Sequence, residues 1–292
     1  MTQLDTLKKH IAEQSDQEGL TTTFVEGFGI YRESVPMAKS PVFYEPLICL
    51  VAQGKKRCHV GDVSYEYQAG DFFINFLPMP VTKDVIEASE QEPMLCVGLT
   101  INLVRVADII VRIERAEKKK AERPVDTSSC VITGTAEQPL VDVFLRLLNV
   151  SKNPIEAEIL GEAIVDEIYY RMLTSEHGDA LRKLLNQYGQ IQPISKVINY
   201  IHDNLDKNIA ITELASLANM SKTSFFNAFK KLMHVPPIQY IKSSKLQKAQ
   251  ALLKQGMQAN TASYQVGYNS FSQFTREYKR FFGYSPSQTL SY

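Results

Sequence analysis

Residues 270–283, SFSQFTREYKRFFG, hold two populations of side chains. Ser272, Gln273, Arg276, Lys279 and Arg280 fall on one side of a helix. Phe274, Tyr278, Phe281 and Phe282, at steps of four, three and one, fall on the other. The first group carries the chemistry of nucleic-acid reading. Arginine and glutamine pair with base edges, and serine and lysine bond phosphate. The second group is a core stripe. Phe271 belongs to neither, because it sits in the first turn, away from the stripe. Ser270 is placed to cap the helix, Gly283 to stop it, and Pro286 lies beyond. A solvated helix back can look the same, so the rest of the chain has to decide.

A second stretch has the same design. MSKTSFFNAFKKLMH (220–234) places Phe225, Phe229 and Leu232 at i, i+4 and i+7, on a core face. Lys222, Thr223, Phe226 and Asn227 are left outside, with Lys230 farther along, and an exposed Phe226 could touch a thymine methyl. Ser221 is placed as its cap. The short helix before it, ELASLAN, has Thr212 as the expected cap and a turn at Asn219-Met220. Together they read as helix-turn-helix. Pro236-Pro237 then opens a basic helix over roughly 237–254, with Lys242, Lys245 and Lys248 along it. TASYQVGY (261–268) repeats the short helix and turn, with Gly267 at the turn. The chain therefore holds one reading unit twice. A spacer of that length spans about 27 Å at 1.5 Å per residue. That suits two reading helices in successive major grooves, about 34 Å apart.

The 292-residue chain has a formal charge of zero, which hides an asymmetry. Residues 193–292 carry 12 Lys+Arg and 4 Asp+Glu, a net of +8; the preceding 20 basic and 28 acidic residues give −8. The basic part is the natural partner of a polyanion. No apolar run approaches the ~20 residues of a membrane span, and the polar N-terminus does not resemble a signal peptide. Four scattered cysteines, without a CxxC, fit a reducing compartment. The expectation is a cytoplasmic protein with no membrane partner.

The first half reads as short antiparallel strands. PLICLVAQGKKRCHVGDVSYEYQAGDFFINF gives four, broken at Gln53-Gly54, Gly61-Asp62 and Ala69-Gly70-Asp71. PVTKDVIEA and PMLCVGLTIN add two more. A small jelly-roll barrel of the cupin kind fits, with an interior able to hold a small molecule. His59 has no histidine partner nearby, so it reads as structural or exposed, and neither a metal nor a cofactor is expected. Asp71 and Glu45 are isolated acids. Without a nucleophile elbow, GxGxxG or P-loop lysine, no catalytic residues and no enzyme activity are expected. If Gln53-Gly54 is a two-residue hairpin loop, Cys49 faces Cys58. The pair is then either redox-sensitive or two small buried hydrophobes. The run ERAEKKKAERP (114–124) reads as a solvated helix end or loop. Two amphipathic helices follow, at 137–149 and 155–173. The second mixes Ile159, Ala163, Ile164, Ile168 and Leu173 with Glu167 on one face. Packing against the barrel and a dimer interface are both open for them.

GYNSFSQFTREYKRFFGYSPSQ resembles the signature of AraC/XylS-type transcriptional regulators, carried here by Gly267-Tyr268, Phe274, Arg276, Tyr278-Lys279-Arg280, Gly283 and Ser285-Pro286. The first unit and linker helix, MSKTSFFNAFKKL and PPIQYIKSSKLQKAQALL, are similar to that family too. Upstream, VFYEPLICLVAQGKKRCHVGDVSYEYQAGDFFINFLPMPV and IEASEQEPMLCVGLTI resemble the N-terminal regulatory domain of one AraC-type subgroup. The resemblance implies an α+β protein. A cupin-like barrel with flanking helices (1–175) and a linker (176–192) precede a double helix-turn-helix domain (193–292). It implies a regulator that binds double-stranded DNA through the major groove and answers a small-molecule effector. A constitutive regulator whose barrel serves only dimerisation or docking is the alternative. A homodimer and RNA polymerase are the implied protein partners. The implied DNA-facing residues are Lys222, Thr223, Phe226, Asn227 and Lys230 in the first unit and Phe271, Ser272, Gln273 and Arg276 in the second. Lys245, where the family usually has arginine, is the implied phosphate contact of the linker. Ser263-Tyr264 also departs from the small or apolar residues usual at that point.

Overall fold

A computed structural model describes residues 2–117, 130–178, 181–182 and 188–291, with backbone alone over 188–192 and at 291. Residues 118–124 of the charged run, and 179–180 and 183–187 of the linker, lie outside the described residues.

Helix α1 (Gln3–Ala12) starts from a capping box in which Thr2 and Asp5 bond each other's backbone N–H. Among the described residues ten strands follow: β1 (Gly19–Thr22), β2 (Phe28–Glu33), β3 (Met37–Tyr44), β4 (Leu47–Gln53), β5 (Lys55–Val60), β6 (Val63–Gln68), β7 (Asp71–Asn75), β8 (Met79–Glu87), β9 (Met94–Thr100) and, after α2 (Leu103–Ala116), β10 (Val131–Thr135). They form two antiparallel sheets, ordered β1-β2-β9-β4-β7-β10 and β3-β8-β5-β6. The sheets close over a shared interior. Phe73 of the larger sheet packs on Tyr44, Tyr65 and Tyr67 of the smaller one. Helix α1, α3 (Gln138–Val150) and α4 (Pro154–Thr174) join α2 around the larger sheet.

The turn expected at Gln53-Gly54 is not a hairpin. β4 pairs with β7 and β9, whereas β5 pairs with β6 and β8, so the chain crosses between sheets at Gly54. Gly54 has φ 81°, and a Cβ there would lie 2.5 Å from Glu87 O. Cys49 therefore does not face Cys58 across a ladder. The hydrophobic pattern could not show this, because β4 is an unbroken apolar run and β5 alternates, and neither pattern names the partner strand.

Helix α3 is buried along Leu140, Val141, Phe144, Leu147 and Leu148, between α1 and α4. On α4 the inward face is Ala157, Gly161, Val165, Ile168, Tyr169 and Met172. Ile159, expected on the apolar stripe, is instead 71% exposed, and Ile155 is 73% exposed. Small Gly161 lies on the inward face, against Val25, where a Cβ would stand 3.1 Å from the Val25 side chain.

The C-terminal helices are α5 (Tyr188–Asp203), α6 (Ile211–Leu217), α7 (Lys222–Met233), α8 (Pro237–Lys254), α9 (Ala259–Gln265) and α10 (Phe271–Phe282), then a 3-10 turn at Pro286–Ser291. Phe225, Phe229, Ile194, Val197, Ile198 and Ile201 share a core continuous with the barrel's own apolar residues. Leu246, Ala249, Leu253, Ala262, Val266, Phe274 and Tyr278 form a separate core around α9 and α10. No helix among the described residues is long and apolar enough to cross a membrane.

Candidate nucleic-acid interface

Two helix-turn-helix units flank α8. Each has a seven-residue helix, a left-handed turn residue and a twelve-residue helix. The turn residues are Asn219 (φ 54°) and Gly267 (φ 74°), the conformation asparagine and glycine adopt at least cost. Ser221 Oγ accepts from Ser224 N–H and Ser270 Oγ from Gln273 N–H, so both second helices begin at the expected caps. The short helix of the first unit begins earlier than expected. Its N-cap is Ala210, and Thr212 lies within the first turn without capping it. Gly283 (φ 87°) ends α10, whereas α7 ends on His234 in a left-handed conformation.

The side chains separate as their spacing requires. On α7, Phe225, Phe229 and Leu232 are buried, while Lys222, Thr223, Phe226, Asn227 and Lys230 are all exposed. On α10, Phe274 and Tyr278 are fully buried, and Phe271, Ser272, Gln273 and Arg276 are exposed. Each helix thus presents a compact polar patch with one exposed phenylalanine.

Lys245 belongs to neither patch. It is 8% exposed, and its Nζ donates to Lys207 O (2.9 Å) and Gly267 O (3.3 Å). Burial pulls its ammonium down, against the opposing pull of Asp206. In this arrangement Lys245 ties together the loops before α6 and after α9, and a phosphate contact is not open to it. The loops that carry Lys207 and Gly267 cover it, which helical spacing alone does not reveal.

A residue outside the expected set organises the second patch. Glu277 accepts from Lys242 Nζ (3.1 Å), Tyr268 OH (2.9 Å) and Gln273 Nε2 (3.2 Å). Burial would raise its carboxyl, but the bonds from Gln273, Lys242 and Tyr268 outweigh that and hold it below the usual glutamate range. It joins α10 to the linker helix and steers Gln273. The sequence did carry a signal for it: Glu277 is the one acidic residue after Glu213.

The barrel grips the first unit at the far end of α7. Cys130 Sγ donates to Leu232 O (3.0 Å), one of the free carbonyls of that helix end. Tyr240 OH donates to Pro78 O (2.7 Å) and lies 2.9 Å from His202 Nε2. Phe43 of β3 packs edge-on against both rings. At Gly61, the β5–β6 turn, an added Cβ would stand 1.9 Å from His234 O.

Residues 24–180 match the profile of the AraC-type transcriptional regulator N-terminus, and residues 214–292 match a helix-turn-helix domain. The chain belongs to the AraC-type transcriptional regulators. The relatives it resembles are transcriptional regulators. The probable transcriptional regulator LumQ of Photobacterium leiognathi is 32% identical over 91 residues, 31% of this chain and 37% of LumQ. A XylDLEGF operon transcriptional activator of Pseudomonas putida is 35% identical over 100 residues, 32% of this chain and 31% of that protein. The chain thus spans about a third of the length of these two relatives. The fold is shared more widely. Apo ToxT of Vibrio cholerae superposes with a TM-score of 0.60 over 94% of this chain and 99% of its own, at 13% identity. This chain and ToxT thus share a fold, here a two-sheet N-terminal part followed by a helical C-terminal part.

Proposed function

We propose that this AraC-type regulator reads DNA with α7 and α10 in successive major grooves, and that the two-sheet domain controls that reading in response to a small effector. The carrying observation is the repeat itself: two capped twelve-residue helices, each with an exposed polar patch, at either end of the 18-residue α8. The proposed contacts are Lys222, Thr223, Phe226, Asn227 and Lys230 on α7, and Phe271, Ser272, Gln273 and Arg276 on α10. The proposed division is a regulatory part at 1–175, a linker at 176–192 and a DNA-binding part at 193–292.

Room for an effector is supported at Gly98, where a Cβ would meet nothing within 4 Å. Gly98 pairs with Cys49 on β4 and Gly29 on β2. Tyr31, Glu33, Lys56 and Lys83 give the nearby interior polar character. One ToxT structure of the same fold, at 14% identity, holds an unsaturated fatty acid, a precedent for a small ligand in this architecture. A homodimer is supported by the exposed Ile155 and Ile159 of α4, and RNA polymerase is the expected further partner of an activator.

Selection of random duplexes by the full-length protein tests the reading. Two half-sites about one helical turn apart are expected, with log K falling steeply against log salt as phosphate contacts release counterions. A flat salt response, or no selected sequence, would sink it. Thermal shift of the same protein against a metabolite library separates the effector-responsive form from a constitutive one.

A further inference from the structure

The barrel interior holds a group of side chains that DNA reading does not use. Cys49 pairs with Gly98, and Val51 with Cys96, across the β4–β9 ladder. Cys49 and Cys96 therefore point to the same inner face, diagonally across two strands. Lys56 reaches them from the opposite sheet. It is 4% exposed, its Nζ is 3.9 Å from Cys96 Sγ and 4.2 Å from the centre of the Tyr31 ring, and no carboxylate of the described residues pairs with it. Lys83 lies 4.5 Å from the same ring and donates to Tyr31 OH. A buried ammonium beside a thiol stabilises the thiolate, the nucleophilic form.

The four thiols are not equivalent. Burial pushes Cys58 and Cys130 up to about 12, and Cys130 is also committed to Leu232 O. Cys49 is held protonated, first by its hydrogen bond to Cys96 and then by burial. Cys96 is drawn down by that same bond and by Lys56 and Lys83, against its burial. One thiol is thus activated, and the neighbour bonded to it keeps a proton to give.

We propose that Cys96 and Cys49 are a thiol-modification site that hydrogen peroxide converts to an internal disulfide. The Cys96 thiolate attacks one peroxide oxygen; an S–O bond forms, the O–O bond breaks, and the leaving hydroxide is protonated to water. Cys49 sulfur then attacks the sulfur of the Cys96 sulfenic acid. The S–S bond forms, the S–O bond breaks, and the departing hydroxide leaves as water with the Cys49 proton. Two thiols lose two electrons, and one peroxide is reduced to two waters. A water-sized oxidant has a route, because Tyr31 and Lys83 are only half-buried and the space over Gly98, opposite Cys49, is open. Diagonal neighbours on a ladder lie about 7–8 Å apart, somewhat beyond the usual Cα separation of a disulfide. The bond must therefore draw β4 and β9 together. The ladder has its irregularity at the adjacent step, between Val51 and Gln53, where it can yield.

The test treats reduced full-length protein with a small excess of hydrogen peroxide, blocks remaining thiols under denaturing conditions, and maps cysteine peptides by mass spectrometry. A Cys49–Cys96 link that dithiothreitol reverses is expected, and it should persist in Cys58→Ser. Assayed near pH 5, below the value of about 6 to which Cys96 is drawn, Lys56→Met should slow its formation about tenfold, the fall in thiolate if the thiol moves back to about 7. Cys49→Ser should instead stop at sulfenic or higher acids on Cys96, which keeps the idea testable if Cys96→Ser does not fold. Unreacted Cys49 and Cys96, first reaction at Cys58 or Cys130, or an unchanged rate in Lys56→Met would overturn it.

Discussion

Arg276 and Lys245 are both basic, and the fold gives them opposite fates. Arg276 is exposed on the reading face of α10, where its Nε lies 3.4 Å from Ser272 O. If it pairs with a guanine, Arg276→Ala should cost about 1–3 kcal/mol at one base position and little elsewhere. Competition between duplexes that differ at single positions measures this, and equal loss on every duplex would make Arg276 a phosphate contact. Lys245→Met removes two hydrogen bonds from a buried ammonium to loop carbonyls, so it should destabilise the protein by about 1–3 kcal/mol. The salt slope of DNA binding should stay unchanged, and a shallower slope would return Lys245 to the DNA. The exposed patches were legible because helical spacing sorts side chains into two faces. Lys245 was not, because its burial depends on two loops distant in sequence.

Among the elements, the joint between α8 and α10 is where one carboxylate decides geometry. Glu277 gathers Lys242, Tyr268 and Gln273. Glu277→Gln removes the charge that holds Lys242 and loosens Gln273, while exposing more positive potential to phosphate. Discrimination between selected and scrambled duplexes should fall several-fold, and non-specific affinity should rise. An unchanged ratio would show that Gln273 needs no orienting. The carboxyl is held below its usual range. The tie is therefore intact above the ordinary glutamate value and lost as pH falls through the lowered one. The strands from β4 to β9 and the repeated helix pairs were readable from alternation and turn residues. The sheet change at Gly54 and the outward turn of Ile159 were not, because alternation fixes which side chains share a face but not which partner that face meets.

Two unequal cores share one chain. The first helix-turn-helix unit is continuous with the barrel, through Phe229, Tyr240 and Phe43, whereas α9 and α10 close around a small core of their own. Local opening follows the apolar contacts an element must break. Amides of α9 and α10 should therefore exchange through a cheaper opening than those of α7, whose end is held by Cys130 and by the turn at Gly61. Hydrogen exchange of the full-length protein resolves the two. Gly61→Ala adds a Cβ where His234 O stands at 1.9 Å and φ is 60°, so the turn and the helix end must part. In that variant α7 should lose protection and approach α9 and α10, while amides of β9, remote from the turn in the other sheet, hold theirs. Matching protection of α7 and α10 in the unmodified protein would mean that the barrel's grip adds nothing to the first unit. Control of DNA reading would then have to pass through the linker rather than through this contact.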